Sequence, residues 1–164
     1  MCSSDLDSGS AAQAEAAYAA LAGHFPADAG VWFRLGEVRY EANQEVAARQ
    51  AFQKALAAGS RSEEAERALL RTEEVLRLDP TRRGLPVRQC AKRWDEFLQR
   101  VYSAALSCGP TPELEAAKPL LKRPALTLEA SDRKMEAVLA IWKTAGEKCK
   151  ADPVAVHILA KLGE

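Results

Sequence analysis

The stretch 29–62 constrains the fold of this chain more than any other part of the sequence. It contains two helical patterns of apolar residues separated by only two polar residues, Asn43 and Gln44. A connection this short makes the two helices antiparallel neighbours. Small, aromatic and aliphatic residues mark the sides on which the helices face each other: Trp32, Leu35, Gly36, Ala48, Phe52 and Ala55.

The small residues of this set explain how the two helices can pack. Gly36 and Ala48 allow the two backbones to approach closely, and the rings of Trp32 and Phe52 fill the space on either side. A single hairpin of this kind cannot bury all of its apolar surface, so it requires helical neighbours. We therefore expect all six residues to serve packing rather than chemistry.

A related pattern precedes the hairpin at a spacing of about 34 residues. The order of small, aromatic, apolar and helix-ending residues is the same in the two sets, Ala14, Tyr18, Leu21, Pro26 and Ala48, Phe52, Ala55, Ser60. With Trp32, Leu35-Gly36 and Tyr40, this pattern resembles the tetratricopeptide repeat family. The resemblance covers one full unit, Ala29–Ser62, and the second helix of a preceding unit. Ser60 stands where the family usually has proline, and Tyr40 is displaced by one position.

The resemblance implies a binding function for the first helix of the unit. In this family that helix lines a concave groove that receives a peptide or a partner helix. By register, the partner-binding residues here are Phe33, Glu37, Tyr40 and Glu41, a surface that favours an apolar or basic segment. The alternative is that one unit is too short to form a groove, and that these residues contact a missing neighbouring unit.

The remainder of the chain predicts further helices without a clear repeat. Ser62 is the expected cap of a helix over Glu63–Leu78. This region is either a capping helix or, as we favour, a degenerate repeat hairpin that closes the solenoid. The segment Thr81–Pro86 is the expected linker to the second half. The other predicted helices are Val87–Ser107, Pro112 to about Lys118, Leu128 or Ser131 (as cap) to Lys148, and a short helix that begins at Pro153 with Asp152 as its cap. The sequence thus predicts an all-α protein, with a solenoid of antiparallel helix hairpins at residues 11–80 and a small helical bundle at residues 87–163.

The first ten residues are expected to lie outside this fold. Residues 1–6 resemble the translation of a sequencing adapter, so we interpret residues 1–10 as a disordered or artefactual tail. A helix is predicted over Ala11–His24, with Ser8 or Ser10 as its cap. Because it matches only the second helix of a repeat unit, we expect the array to begin further upstream.

Three of the cysteines, Cys90, Cys108 and Cys149, lie in the second half of the chain. The first two are separated by about 27 Å along one predicted helix, too far for a disulfide. A disulfide would therefore join Cys149 to either Cys90 or Cys108, and the alternative is three free thiols. A disulfide would indicate an oxidising compartment, such as a periplasm or cell envelope.

Composition argues against several classes of function. The 23 basic and 23 acidic side chains give a formal net charge of zero, so no overall field attracts nucleic acid. No apolar run approaches the roughly 20 residues that span a bilayer, and no glycine-rich phosphate loop is present. His24 and His157 are single and remote from any paired cysteines. We predict no catalytic residue, metal site, cofactor or small-molecule substrate, and a protein or peptide as the partner.

One local excess of positive charge leaves an alternative open. Residues 82–100 contain two acidic residues, Asp95 and Glu96, and six basic residues: Arg82, Arg83, Arg88, Lys92, Arg93 and Arg100. They either contact phosphate or an acidic partner, or form a solvated helix face balanced by the glutamates of the preceding helix, which is the interpretation we favour. The alternative function is accordingly a set of adaptor repeats attached to an enzymatic or nucleic-acid-binding second half.

Overall fold

The computed structural model describes residues 4–145 and 152–162 and confirms an all-α fold. The described residues form eight α-helices and no strand: α1 (Ser4–His24), α2 (Ala29–Glu41), α3 (Glu45–Ala57), α4 (Glu63–Leu78), α5 (Val87–Leu106), α6 (Pro112–Leu121), α7 (Leu128–Ala145) and α8 (Pro153–Leu162). The chain divides into two compact units, Met1–Leu76 and Arg77–Glu164.

In the first unit, α2 packs against both α3 and α1. Ala48, Phe52 and Ala55 of α3 are completely buried, and Leu35 of α2 is 1% exposed. A second cluster, between α1 and the hairpin, combines buried Ala22, Leu35 and Ala51 with the half-buried side chains of Tyr18, Val31 and Trp32.

Local hydrogen bonds set the start of α2 and the ends of both hairpin helices. Asp28 Oδ1 accepts from the backbone N–H groups of Gly30 at 2.9 Å and Val31 at 3.1 Å, so this residue caps the helix. Both α2 and α3 end in a Schellman motif, in which Gln44 N–H donates to Arg39 O and Ser60 N–H donates to Ala55 O.

The left-handed residue that each Schellman motif requires is Asn43 after α2 and Gly59 after α3. Their φ angles are 58° and 97°. Asn tolerates this region better than most residues, and Gly adopts it without steric cost. The turn between the two helices is therefore specified by local chemistry as well as by packing.

The start of α1 differs from the sequence prediction. The sequence places residues 4–10 in a tail and a cap at Ser8 or Ser10, whereas the structure includes all of these residues in the first turns of α1. The cap prediction is wrong because serine and glycine cost at most about 1 kcal/mol each in a helix, which is too little to end it.

In the second unit, α5 packs against α6, α7 and α8. One face of α5 is buried along its whole length: Ala91, Trp94, Phe97, Leu98, Val101, Tyr102 and Ala105. The Trp94 and Phe97 rings meet nearly edge to face, with centroids 6.2 Å apart. This apolar stripe forms the centre of the unit.

Ion pairs connect the helices of the second unit. Lys134 of α7, which is 3% exposed, pairs with Asp95 of α5. Arg100 of α5 pairs with Asp152, the residue that caps α8, at 2.5 Å. Such pairs fix orientation, because removal of either partner leaves a charge with poor access to water.

Three details of the second unit differ from the sequence prediction. The segment Thr81–Pro86, expected as a linker between domains, lies within the second unit. Helix α6 continues through Pro119 to Leu121, because half-buried Leu120 and Leu121 offset the lost backbone hydrogen bond. Helix α7 begins at Leu128 with Thr127 as its cap, whose Oγ1 accepts from Ala130 N–H, so the alternative cap, Ser131, lies inside the helix.

Candidate functional site

The candidate site is the part of α2 that stays at least partly accessible beside its contacts with α1 and α3. We call it the α2 outer surface and define it as Phe33, Arg34, Glu37 and Glu41. Residues at spacings of three, four and seven lie on one side of a helix, so these side chains are neighbours. Arg34 and Glu41 are exposed, whereas Phe33 and Glu37 are half-buried.

The charged centre of this surface is a pair formed within the helix. Arg34 Nη1 donates to Glu37 Oε2 at 2.6 Å. The hydrogen bond and the charge of Glu37 raise the pKa of the Arg34 guanidinium, and Tyr18 of α1 and Glu64 of α4 act in the same direction. Side chains from three helices thus contribute to the electrostatic environment of Arg34.

The apolar part of the surface is the ring of Phe33. It lies 5.8 Å from the ring of the buried Phe52, centroid to centroid, with the two planes at 49°. The Arg34 guanidinium is 5.9 Å from the Phe33 centroid. A partly buried aromatic ring beside charged groups gives a contact point that is already ordered by the core.

Tyr40 occupies a different environment from the other three predicted partner-binding residues. It is 9% exposed and its ring lies beneath the guanidinium of Arg71, 4.9 Å from the centroid. Burial raises the pKa of Tyr40 to about 12, although the positive charge of Arg71 opposes this shift and Glu45 adds to it. Tyr40 thus joins α2 to α4 and offers little of its surface to a partner.

The residues assigned to packing surround Gly36. A Cβ atom at this position would lie 2.5 Å from Cε1 of Phe52, so the glycine makes room for the phenylalanine ring. Trp32 is half-buried, its indole N–H donates to Pro26 O at 2.9 Å, and Lys54 Nζ lies 4.2 Å from its ring centroid. The close approach at Gly36 is therefore between a backbone and a ring.

Sequence reasoning misses three contributors to this site: Arg34, Tyr18 and Glu64. Arg34 falls within the same register and would have been found by including every exposed position of the helix. Tyr18 and Glu64 come close only because α1 and α4 pack beside α2, and no local pattern in the sequence indicates that arrangement.

The structure narrows the cysteine alternatives. Cys108 is disulfide-bonded, whereas Cys90 is a free thiol whose S–H donates to Pro80 O at 3.5 Å. This excludes both the pairing of Cys90 with Cys149 and the state with three free thiols. Cys149 itself lies outside the described residues, so its pairing with Cys108 stays a prediction.

Two negative findings apply to the part of the chain that the structure describes. Within residues 4–145 and 152–162, no group of three or more His, Cys, Asp and Glu side chains is arranged to hold a metal ion. No helix in these ranges is both long enough and apolar enough to cross a membrane.

Comparison with known protein families, with curated proteins and with solved structures finds no match to this chain.

Proposed function

We propose that this protein is a non-catalytic scaffold of the tetratricopeptide-like type, which binds a peptide or partner helix on the α2 outer surface. The observation that carries the proposal is that α2 packs against α1 and α3 and still leaves Phe33, Arg34, Glu37 and Glu41 at least partly accessible. Three of these residues, Phe33, Glu37 and Glu41, have positions in the register that the sequence resemblance assigns to partner contacts.

The chemistry of this surface favours a segment that is both basic and apolar. Glu41 is exposed and Glu64 adds a further negative charge near the Arg34–Glu37 pair. An incoming Lys or Arg can therefore pair with Glu41 or compete for Glu37, while an apolar side chain packs against Phe33. Exposed charge pairs supply little affinity individually, so the aromatic contact provides the larger share of binding energy.

Selection from a random peptide library displayed on phage tests this proposal, because it does not require the partner to be identified first. We expect the enriched peptides to combine basic and apolar residues and to bind the purified protein reversibly in calorimetric titration. The Phe33→Ala variant should weaken binding by about tenfold or more, because a well-packed aromatic anchor is worth at least about 1.4 kcal/mol.

The charges of the surface are tested with a matched pair of double variants. Glu37→Gln with Glu41→Gln should weaken binding of the same peptides by severalfold, and more at low salt than at high salt. Glu66→Gln with Glu73→Gln changes the net charge equally on exposed positions of α4 and should have no comparable effect. Equal losses in the two double variants, or no enriched peptide at all, would refute a specific site on α2.

A further inference from the structure

The second unit begins with a positively charged surface, in contrast to the acidic groups of the α2 outer surface. The proposed function of α2 does not use it. From Arg77 to Arg93, both included, the sequence has six basic residues and one acidic residue, Asp79. Arg82, Arg83 and Arg88 are all exposed, and so is Val87, with 56% of its surface accessible. We call these four residues the basic segment.

Four acidic groups of the second unit are paired with other cations. Asp79 is 2% exposed, and its carboxylate accepts from Lys161 at 2.6 Å and from Thr81. Glu96 is shared between Arg77 at 2.7 Å and Lys92 at 3.7 Å. Asp95 and Asp152 pair with Lys134 and Arg100, respectively.

The three arginines of the basic segment are therefore left uncompensated. Within the described residues, Arg82, Arg83 and Arg88 take part in no ion pair or hydrogen bond through their side chains. The charge of Arg82 also affects the neighbouring Arg93, whose pKa is lowered by burial and by repulsion from Arg82. Arg93 is held by a hydrogen bond of 2.8 Å to Asp79 O, so it cannot move away from this repulsion.

The helix that follows reinforces the preference for negative charge. Helix α5 begins after Pro86 without a side-chain cap and carries no acidic residue in its first turn. Its N-terminal N–H groups add a partial positive charge to that of Arg88. This feature alone would not define a site, but here it lies between arginines that lack partners.

We propose that the basic segment is a docking surface for an acidic segment of a partner protein, in which carboxylates bind Arg82, Arg83 and Arg88 and an apolar side chain packs on Val87. Planar guanidinium groups bind carboxylates through two parallel hydrogen bonds. The exposed Val87 among the arginines favours a peptide over nucleic acid, because bases stack on aromatic rings and the nearest ring of α5, that of Trp94, is 6% exposed. This inference does not depend on the α2 outer surface.

Fluorescence anisotropy on the full chain tests the proposal. The probe is a short labelled helical peptide that carries glutamates on either side of a leucine, and the comparison peptide has glutamine in place of each glutamate. We expect the acidic peptide to bind with an affinity that falls as salt is added, and the comparison peptide to bind at least about tenfold more weakly.

Two triple variants of equal charge locate the binding site. Arg82→Gln, Arg83→Gln and Arg88→Gln together should weaken binding of the acidic peptide by about tenfold or more. The matched control changes three exposed cations elsewhere in the same unit: Lys122→Gln, Arg123→Gln and Lys143→Gln. It should change the affinity by no more than about twofold, as expected for exposed charges that are screened by salt and lie outside the proposed contact. Circular dichroism establishes that both variants stay helical.

Three results would overturn the proposal. The first is an equal loss of affinity in the two triple variants, which indicates general electrostatic attraction. The second is tighter binding of a labelled oligouridylate than of the acidic peptide, which assigns the surface to nucleic acid. The third is concentration-dependent self-association of the unliganded protein in sedimentation, abolished by the triple arginine variant, which assigns the surface to a second copy of the chain.

Discussion

At the scale of single residues, Gly36 shows how one missing side chain determines the packing of the hairpin. The ring of Phe52 occupies the space that a Cβ at position 36 would require, and Phe52 is completely buried. The ring cannot rotate away, because it is enclosed by the core and lies beside Phe33. The packing energy gained by placing the Phe52 ring against Gly36 therefore exceeds the cost of a glycine within a helix.

We expect the Gly36→Ala variant to lose about 1–2 kcal/mol of unfolding free energy, since overpacking costs more than the gain in helix propensity restores. Urea denaturation followed by circular dichroism measures this change. Gly23→Ala is the matched control, because Gly23 is an exposed helical glycine and no neighbouring atom lies within 4 Å of the position that a Cβ would take. That variant should gain up to about 1 kcal/mol. Equal effects in the two variants would contradict the role assigned to Gly36.

Tyr40 gives a second prediction at this scale, in the alkaline range. Burial raises the pKa of Tyr40 to about 12, so the folded state favours the neutral phenol. The resulting stability is fully present below about pH 10, the ordinary pKa of tyrosine, and is lost as the pH rises from about 10 to about 12. The unfolding midpoint in urea should fall across this range, and the fall should be smaller in Tyr40→Phe. Tyr18→Phe controls for the loss of one hydroxyl group. A pH profile that is unchanged by Tyr40→Phe would assign the loss of stability to other groups.

At the scale of helices, the sequence predicts the elements whose boundaries depend on local chemistry. Ser62 and Asp152 cap α4 and α8 as expected, because a short side chain at a helix start needs only its own backbone as partner. The error at Ser8 arises because a weak local preference is outweighed by the rest of the helix, and the error at Pro119 arises because half-buried Leu120 and Leu121 offset a stronger one. Propensity decides a boundary only when packing is neutral.

The candidate site is predictable from sequence to a smaller extent than the helices. Spacing alone indicates that Phe33, Glu37 and Glu41 share one side of α2, and the structure places all three at least partly at the surface. Spacing also includes Tyr40 in that set, but the contact with Arg71 that buries it depends on how α4 packs. Such tertiary contacts have no signature within the helix itself.

The ion pair between Lys161 of α8 and Asp79, which follows α4, supports a prediction about the stability of α8. The Asp79 carboxylate is 3% exposed, so its charge depends on Lys161 and Thr81 for compensation. We expect Lys161→Met to cost about 3 kcal/mol, because it leaves a buried carboxylate without its cation. Hydrogen exchange should show the amides of α8 exchanging faster than in the unmodified protein, and urea denaturation gives the total loss.

A matched control variant and a rescue variant distinguish the buried Lys161–Asp79 ion pair from an ordinary surface ion pair. Lys118 pairs with Glu115 on the exposed side of α6 at 2.6 Å, so Lys118→Met should leave stability without a measurable change. Adding Asp79→Asn to Lys161→Met should recover part of the loss, since the neutral amide no longer requires a cation. If both lysine variants behave alike, the pair does not stabilise the attachment of α8.

At the scale of the whole molecule, the cysteines connect the fold to the compartment in which the chain can be stable. The sequence has four cysteines, of which Cys108 is disulfide-bonded and Cys90 is free. A disulfide persists in an oxidising environment and is reduced in a cytosolic one. The redox state of one residue thus decides whether the proposed partners are to be sought in the cell envelope.

We expect thiol titration of the unreduced, denatured protein to give two free thiols per chain, because one intrachain disulfide removes two of the four. Peptide mapping without reduction should recover Cys108 linked to Cys149, and Cys108→Ser should release the thiol of Cys149. Cys90→Ser is the control, since it should lower the thiol count by one and leave the disulfide in place.

Reduction should lower the thermal midpoint of the unmodified protein but not that of Cys108→Ser, because a disulfide stabilises chiefly by restricting the unfolded chain. Four free thiols in the unreduced, denatured protein would remove the argument for an oxidising compartment, while a link between Cys108 and Cys2 would contradict the predicted pairing with Cys149.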